Sequence, residues 1–331
     1  MRAVLLREFG AIAGLALADV ADPEPGPDDA VVAVRAIAAN YVDLLVIAGT
    51  YQFLPERPFS PGKLPVGDVI AVGANVKNVK PGDRVLTLAE YGGYAERVKV
   101  PAAQCFVLPA GLSYVDAASM SLAYDTAWFA LRERGRYHTG ETVLVLGASG
   151  AVGLAAIQLA KAFGARVLGG IAHMDKAQTV LDAGADAVID LSQPDLHDAL
   201  RDQVHATNNG NGADIVLDPL GGDYFAAALR ALAWRGRLVV IGFAGGAIPS
   251  VKVNYLLVKN IEVSGLQVSD YRKRMPKVMA ACLAEIFSLY EAGRLRPPVA
   301  TTYRLDDFSN ALQDLHDRRT RSRIVLIPAE A

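Results

Sequence analysis

The sequence has little cysteine and no strong excess of charge of either sign. Its only cysteines are Cys105 and Cys282, too few for a disulfide framework or a cysteine-rich metal site. The formal net charge is −2, so no basic field attracts nucleic acid or an anionic membrane. No apolar run is long enough to span a bilayer, and the opening MRAVLLREFG lacks the apolar core of a signal peptide. We therefore expect a cytoplasmic protein.

The length of the chain and its pattern of strand-like and helix-like segments predict two domains. A chain of 331 residues, 52% of them hydrophobic, can form about two cores. Residues 1–120 show short strand-like runs separated by turn signals such as DPEPGPDD at 22–29. From about residue 124 strands and helices alternate, with strands expected at 142–147, 166–171, 186–190, 213–217, 237–242 and 261–265. Such alternation is typical of a parallel sheet covered by helices on both faces.

The end of the chain no longer shows this regular alternation of strands and helices. A long helix is expected at 273–292, a short helix near 305–316 and a last strand at 323–328. The simplest architecture is therefore a parallel α/β domain inserted into a β-rich domain that is built from both ends of the chain.

A glycine-rich turn lies between the strand at 142–147 and the helix that follows it. The turn fits G-x-G-x-x-G, with Ala148 in the place of the first glycine. Gly150 would let the backbone approach a pyrophosphate, and Gly153 would let the helix pack closely on its strand. The N–H groups and partial positive charge of the helix N-terminus would then face the phosphates. We therefore predict that a dinucleotide is bound by Ala148, Ser149, Gly150, Ala151, Val152 and Gly153.

The order of motifs along nearly the whole chain resembles the medium-chain dehydrogenase/reductase superfamily. More narrowly, it resembles the zinc-free quinone oxidoreductase branch that includes zeta-crystallin. The motifs that carry this resemblance are ANYVDLLVIAGTY (39–51), PFSPG (58–62), VKPGDRV (79–85), GGYAERVKVP (92–101), TVLVLGASGAVGLAAIQLAK (142–161), GADAVID (184–190), VLDPLGG (216–222), GRLVVIGFAGG (236–246) and RSRIVLIP (321–328).

The resemblance implies a Rossmann-type doubly wound parallel sheet domain inserted into a β-rich GroES-like catalytic domain. The expected division is 1–122 for the first part of the catalytic domain, 123–265 for the NADPH-binding domain and 266–331 for the rest of the catalytic domain. It also implies a homodimer, because family members commonly join through the edge strand that corresponds to 260–265. An exposed sheet edge tends to be paired or protected.

The residues at the zinc positions of related alcohol dehydrogenases argue against a metal. Asn40 replaces the first ligand cysteine, although Asp43 is retained. Gly62-Lys63-Leu64 replaces Gly-His-Glu, and Leu122 replaces the last cysteine. Amide, ammonium and alkyl groups cannot supply a tetrahedral zinc site. We therefore expect no zinc. We have no functional account of Leu64, which stands where most relatives carry an acid.

The strand at 166–171 predicts a preference for NADPH over NADH. The acid that usually binds the ribose 2′-hydroxyl falls near Ile171, which cannot repel a 2′-phosphate. His173 and Lys176 could attract that phosphate, and the resemblance assigns the contact to Lys176 and Arg318. A well-known family member has a further tyrosine contact where this chain has Leu191. The alternative is that Lys176 only solvates a helix face.

The resemblance implies roles in hydride transfer for residues of both domains, in a cleft between them. Thr126 would bind the cofactor, and Tyr51 or Asn40 would polarise an acceptor carbonyl. Tyr41 could instead pack in the core, Asp43 could only cap its helix, and the Thr126 hydroxyl could bond to the preceding turn. The residues placed near the nicotinamide are Asn40, Tyr41, Asp43, Tyr51 and Thr126, with Phe243, Ala244 and Gly245 beside it.

These observations predict an enzyme that transfers hydride from NADPH to a quinone or a related α,β-unsaturated carbonyl. Quinones and enones present the same vinylogous electrophile, so an enone or 2-haloacrylate reductase remains an alternative. A non-enzymatic NADPH-binding protein of the zeta-crystallin type is another. No histidine lies in a catalytic context, so water could supply the proton that follows the hydride.

Overall fold

A computed structural model describes residues 1–320 and 322–328 of the chain. Arg321, which belongs to the last motif, lies outside the described residues. The strands are β1 (Arg2–Leu6), β2 (Leu15–Asp19), β3 (Asp29–Ala38), β4 (Val66–Val72), β5 (Arg84–Thr87), β6 (Arg97–Pro101), β7 (Cys105–Val107), β8 (Thr142–Leu146), β9 (Arg166–Ile171), β10 (Ala187–Asp190), β11 (Ala213–Asp218), β12 (Leu232–Val240), β13 (Glu262–Gly265), β14 (Ala300–Arg304) and β15 (Arg323–Ile327).

Eleven α-helices connect these strands in the described part of the chain, together with short 3₁₀ and π segments. They are α1 (Tyr41–Ala48), α2 (Tyr114–Met120), α3 (Ala123–Phe129), α4 (Ala151–Ala162), α5 (Ala177–Asp182), α6 (Leu196–Thr207), α7 (Gly222–Ala231), α8 (Val253–Lys259), α9 (Val268–Arg274), α10 (Pro276–Glu291) and α11 (Phe308–His316). Within the described residues, none of these helices is both long and apolar enough to cross a bilayer.

The chain divides into two compact units. The first unit comprises Met1–Leu122 and Pro297–Ala331, and the second comprises Ala123–Arg296. The second unit is thus an insertion in the first. The predicted fold class, a parallel α/β domain inserted into a β-rich domain, is confirmed.

The second unit is built on a parallel sheet with the strand order β10-β9-β8-β11-β12-β13. This is the doubly wound order of a Rossmann fold, in which the direction of winding reverses between β8 and β11. All residues of β8 are buried, as expected for a central strand covered on both faces. β12 begins at Leu232, earlier than the expected 237.

The first unit contains a mainly antiparallel sheet with the order β14-β15-β3-β4-β5-β7 and a separate pair formed by β1 and β2. β6 pairs with β3 as a branch of the larger sheet. β15 pairs with β3 and β14, so the end of the chain completes a sheet that the beginning of the chain starts. One apolar core accordingly contains residues from both segments, including Val32, Ile37, Leu312 and Leu326.

The second domain boundary lies at residues 296 and 297 instead of the expected 265 and 266. Residues 266–296 belong to the second unit because α9 and α10 are bonded to α3. Arg272 donates to the carboxylate of Asp125 at 2.6 Å, and both side chains are almost fully buried. The indole of Trp128 donates to the carboxylate of Glu285, also at 2.6 Å.

The long helix expected at 273–292 is α10, which begins at Pro276, while residues 273 and 274 belong to α9. α9 ends at Arg274, and α10 begins with Pro276 in its first turn. Proline has no amide N–H and its ring conflicts with a preceding turn of helix, so it starts a helix more readily than it continues one.

Candidate active site

The glycine-rich turn joins β8 to α4 at the point where the winding of the parallel sheet reverses. Gly147 has a φ of 58°, and the carbonyl of Gly147 accepts from the amide of Gly150 at 2.9 Å. A Cβ atom on Gly153 would lie 2.4 Å from the oxygen of Gly147, so only glycine permits this packing. The first amides of α4 have no acceptor within the helix and can bind an anion. The turn therefore fits a pyrophosphate.

Two loops at the carboxyl ends of β11 and β12 are bonded to each other beside this turn. Ala244 and Gly245 donate their amides to the carbonyls of Pro219 and Leu220 at 3.0 and 2.8 Å. Phe243 lies at the start of the second loop, and a Cβ on Gly221 would lie 2.9 Å from its ring. The amides of residues 244 and 245 are thus committed to the neighbouring loop, and only other atoms of these residues remain for a ligand.

Asp218 holds the first of these loops from the end of β11. One carboxylate oxygen accepts from the amides of Leu220 and Gly221 at 2.8 and 2.9 Å. The other oxygen is buried and has no hydrogen-bond partner among the described residues. Burial raises the pKa of this carboxyl, and the two amide bonds oppose the shift. Asp218 therefore positions the loop, a role that the motif VLDPLGG does not reveal by itself.

The edge of the sheet at β9 and β10 carries the residues expected to select the cofactor. β9 ends at Ile171, whose side chain is buried. His173 is exposed and Lys176 is half-buried, and the Lys176 amine has no ion-pair partner among the described residues. Asp190 ends β10 in register with Ile171. Its carboxylate accepts from Ser192 and Gln193 side chains and is a negative charge that the sequence analysis missed.

The remaining predicted cofactor residues lie in different parts of the chain. Thr126 is buried in α3 of the second unit, and among the described residues its hydroxyl makes no hydrogen bond. Within the described residues, the Thr126 hydroxyl therefore does not bond to a carbonyl of the preceding helical turn. Arg318 lies in the first unit just after α11, is exposed and has a φ of 54°.

Asn40 and Asp43 form a buried polar group at the start of α1 in the first unit. The Asp43 carboxylate accepts from the backbone N–H of Asn40 at 2.8 Å and from the Tyr94 hydroxyl at 3.0 Å. The Asn40 side chain donates to the carbonyl of Ala38 at 3.0 Å and accepts from Arg323 at 2.8 Å. Asp43 therefore does hold the helix N-terminus, and Asn40 is fixed in orientation by its two bonds.

Burial dominates the electrostatics of Asp43. It raises the pKa of the carboxyl from 3.8 to about 6, although the bond from Asn40 and the charges of Lys63 and Arg323 act in the opposite direction. The pKa of Tyr94 lies well above its usual value for the same reason. The carboxyl of Asp43 is thus poised to change charge just below neutral pH.

Lys63 brings a buried ammonium to the same part of the first unit. Its Nζ donates to a carboxylate oxygen of Glu90 at 2.6 Å and lies 5.6 Å from the ring centre of Tyr51. Tyr51 is half-buried, whereas Tyr41 is 48% exposed, which excludes a core position for Tyr41. From the sequence alone, Lys63 is only a residue that cannot replace a metal-binding histidine. No spacing signal links residues 63 and 90.

The unfolding of the protein should report the raised pKa of Asp43. Between pH 3.8 and about 6 the native carboxyl keeps a proton that the unfolded chain has lost, so the free energy of unfolding falls as pH rises through this window. The loss should be about 3 kcal/mol relative to Asp43→Asn, which cannot titrate. Urea denaturation of both proteins from pH 3 to 8 measures the difference. The same pH slope in both proteins would contradict this assignment.

Comparisons with known proteins agree with this arrangement. Residues 26–110 match the model of the alcohol dehydrogenase GroES-like domain, and residues 151–285 match that of the zinc-binding dehydrogenases. A quinone oxidoreductase-like protein 2 homolog from Nematostella vectensis is 34% identical over 98% of this chain and 88% of its own. The pig quinone oxidoreductase is 30% identical over 99% of this chain and 98% of its own.

A solved structure resembles the whole chain. It is the Escherichia coli quinone oxidoreductase complexed with NADPH, with a TM-score of 0.89, 29% identity and coverage of 99% of this chain and 100% of that one. The similarity in sequence and fold extends over both units, so the chain belongs to the quinone oxidoreductase branch of the medium-chain dehydrogenase/reductase superfamily.

Proposed function

We propose that the protein is an NADPH-dependent oxidoreductase that reduces a quinone or a related α,β-unsaturated carbonyl without zinc. The observation that carries the proposal is the glycine-rich turn at the switch point of a parallel sheet whose ribose-facing strand ends on Ile171 instead of an acid. The similar proteins from pig and Escherichia coli are named quinone oxidoreductases, and the latter was solved in complex with NADPH.

The residues of the second unit fit the cofactor. The first amides of α4 have no acceptor within the helix and can bind a pyrophosphate, and Lys176 offers an ammonium that has no ion-pair partner among the described residues for a 2′-phosphate. Thr126 has a hydroxyl that is available to the nicotinamide amide. When bound, NADPH supplies a hydride. In this proposal, His173 offers a hydrogen bond near the phosphate, and Phe243 limits the access of water.

The residues of the first unit provide polar groups for the acceptor. The side-chain amide of Asn40 has a second N–H with no acceptor among the described residues, and Tyr51 carries a phenol on a half-buried ring. Either group can polarise a carbonyl and stabilise the negative charge that develops on its oxygen. Asp43 acts through Asn40 as a positioning residue.

The donor set at the former zinc positions supports a zinc-free reaction. Asn40, Lys63 and Leu122 offer an amide already bonded to protein, an ammonium and an alkyl group. Over residues 1–320 and 322–328, no three His, Cys, Asp or Glu side chains form a group that could hold a metal ion. Zinc prefers several deprotonated nitrogen, sulfur or oxygen ligands.

An acceptor panel tests the proposed reaction. Oxidation of NADPH should be fastest with ortho-quinones such as 1,2-naphthoquinone or with para-quinones, and slower with enones and 2-haloacrylate. Activity should survive a chelator, and the purified protein should contain no stoichiometric zinc. Tight NADPH binding without turnover of any acceptor would support a non-enzymatic binder. Activity that a chelator abolishes and zinc restores would contradict the metal-free mechanism.

The cofactor preference should depend on Lys176 and Ile171. Removing the ammonium in Lys176→Ala should lower kcat/KM for NADPH about tenfold to a hundredfold and leave NADH unchanged, because a charge-assisted bond contributes roughly 1.5–3 kcal/mol. Ile171→Asp should weaken NADPH and favour NADH by adding a 2′-hydroxyl acceptor. The double variant should change the ratio further than either substitution alone.

The matched control is Lys277→Ala, which removes an exposed lysine from the first turn of α10 in the same unit. It should leave the NADPH-to-NADH ratio of kcat/KM unchanged. Equal losses for both cofactors in Lys176→Ala would show that the side chain only supports the fold.

We further propose a homodimer formed through β13 and α8. β13 is the last strand of the parallel sheet, so one of its edges has no partner strand in the described chain. The neighbouring α8 has no buried residue and exposes Val253, Leu257 and Val258 by 74, 78 and 72%. A cluster of exposed apolar side chains beside an open edge favours association with a second copy.

Sedimentation at micromolar concentration should therefore give a dimer for the wild type and a monomer for Leu257→Asp, because a charge would be buried in the interface. Val299→Asp is the control, since Val299 is 80% exposed but lies in the first unit. A monomeric wild type, or dissociation by both substitutions equally, would refute the proposed interface.

A further inference from the structure

Backbone pairing places Lys63 opposite Glu90 in the first unit. The segments 60–64 and 89–94 run antiparallel, with Leu64 donating to Ala89 at 2.8 Å and Gly92 donating to Ser60 at 2.7 Å. Gly62 and Gly93 make this close approach possible, because a Cβ on either would lie within 2.5 Å of a neighbouring side chain. The position of both charged side chains is thus fixed by the backbone.

The Lys63 ammonium is buried, and one of its three N–H groups has no acceptor among the described residues. Its side chain is 6% exposed, and that of Glu90 is 22% exposed. An ammonium has three N–H donors, and two of them bond Glu90, to the carboxylate at 2.6 Å and to the carbonyl at 3.1 Å. Within the described residues the third has no acceptor. The ion pair therefore connects the buried ammonium of Lys63, a possible proton donor, to the Glu90 carboxylate, which water can reach.

The groups around Lys63 are those to which the proposed function assigns the acceptor. The ring centre of Tyr51 lies 5.6 Å from Nζ. The Lys63 charge, like that of Arg323, lowers the pKa of Asp43, so both cations act on the buried carboxyl that holds Asn40. The ionisable groups of this cluster are Lys63, Glu90, Asp43, Tyr51, Tyr94 and Arg323.

Stability alone is a poor explanation for this ion pair. Removing an ammonium and a carboxylate from water costs several kcal/mol per ion, and well-packed apolar side chains of similar volume are often at least as stabilising. Lysine is also a suitable proton donor, since its compact amine can release a proton, whereas an arginine side chain cannot. The geometry suits a role in which the proton moves.

We propose that Lys63 is the proton donor of the reaction and that Glu90 supplies it with protons from solvent. This inference rests on the proposed reduction of a carbonyl acceptor by NADPH. When the acceptor takes the hydride, its carbonyl oxygen gains an electron pair. The Nζ–H bond breaks with its electrons left on nitrogen, and an O–H bond forms. Glu90 then takes a proton from water and passes it to Nζ, so one solvent proton is consumed per NADPH oxidised.

The test measures kcat/KM for a series of substituted para-quinones whose reduced oxyanions differ in basicity. Lys63→Met should lower kcat/KM about a hundredfold, and the loss should grow as the oxyanion becomes more basic. Lys63→Arg keeps the charge but cannot release a proton, so it should remain impaired. NADPH affinity, measured by fluorescence, should be unchanged in both variants. Lys99→Met, at an exposed lysine of β6, is the control and should match the wild type.

Glu90→Gln provides a second test that does not remove the buried amine. It should lower kcat more than kcat/KM and increase the solvent isotope effect, because refilling of Lys63 becomes slow. A loss in Lys63→Met that is the same for every quinone, or full activity of Lys63→Arg, would overturn the proposal and leave a structural ion pair. If Lys63→Met does not fold, the Arg and Gln variants decide the question. A wild type that reduces no acceptor would instead refute the proposed function itself, and with it this role of Lys63.

Discussion

The burial of the Asp43 carboxylate constrains the whole polar cluster of the first unit. A charge removed from water needs hydrogen bonds and opposite charges close by. Asp43 obtains the bonds from Asn40 and Tyr94, and the positive charges of Lys63 and Arg323 act on it from two other segments. Arg323 lies on β15, the last strand of the described chain, and its bond to Asn40 helps to orient that side chain at the start of α1.

A different constraint governs the second unit, where the backbone of α4 has to pack closely against the backbone of the glycine-rich turn. The packing of α4 on the turn at Gly147 leaves no space for a side chain at Gly153. The two loops at the ends of β11 and β12 are likewise tied by main-chain bonds, with Asp218 fastening the first of them. Among the described residues, the amides at the start of α4 have no acceptor within the helix. A ligand with phosphate groups therefore meets a surface that is already formed.

Sequence patterns predicted those parts of the structure that depend on local periodicity. β8, β9 and the glycine-rich turn lie where they were expected, because buried strands and strand–turn–helix junctions have strong local signatures. The boundary at residue 296 was missed because it depends on the contact between Arg272 and Asp125, which are far apart in the chain. The helix expected at 273–292 is present but begins three residues later, because Pro276 starts the helix.

In the candidate site, too, residues within local motifs could be predicted, whereas contacts between distant segments could not. The motif residues Asn40, Asp43 and Thr126 were identifiable from the order of motifs, although their roles remain predictions. The pair of Lys63 and Glu90 was not identifiable, because it arises from two segments that become neighbours only in the folded sheet. Asp190 was passed over for a similar reason, since its register with Ile171 is a property of strand pairing.

The register of Asp190 with Ile171 has a consequence for how this edge of the sheet would distinguish two dinucleotides. A carboxylate on β10 and an ammonium just beyond β9 are both at least partly accessible to water. Their electrostatic effects on a phosphate bound there would be opposite in sign, and both would be screened by dissolved ions over a distance of about 8 Å at physiological ionic strength. If the proposed role of Lys176 holds, discrimination at this edge would be the net result of an attraction and a repulsion, and the salt concentration of the surrounding solution would change it without any change in the fold.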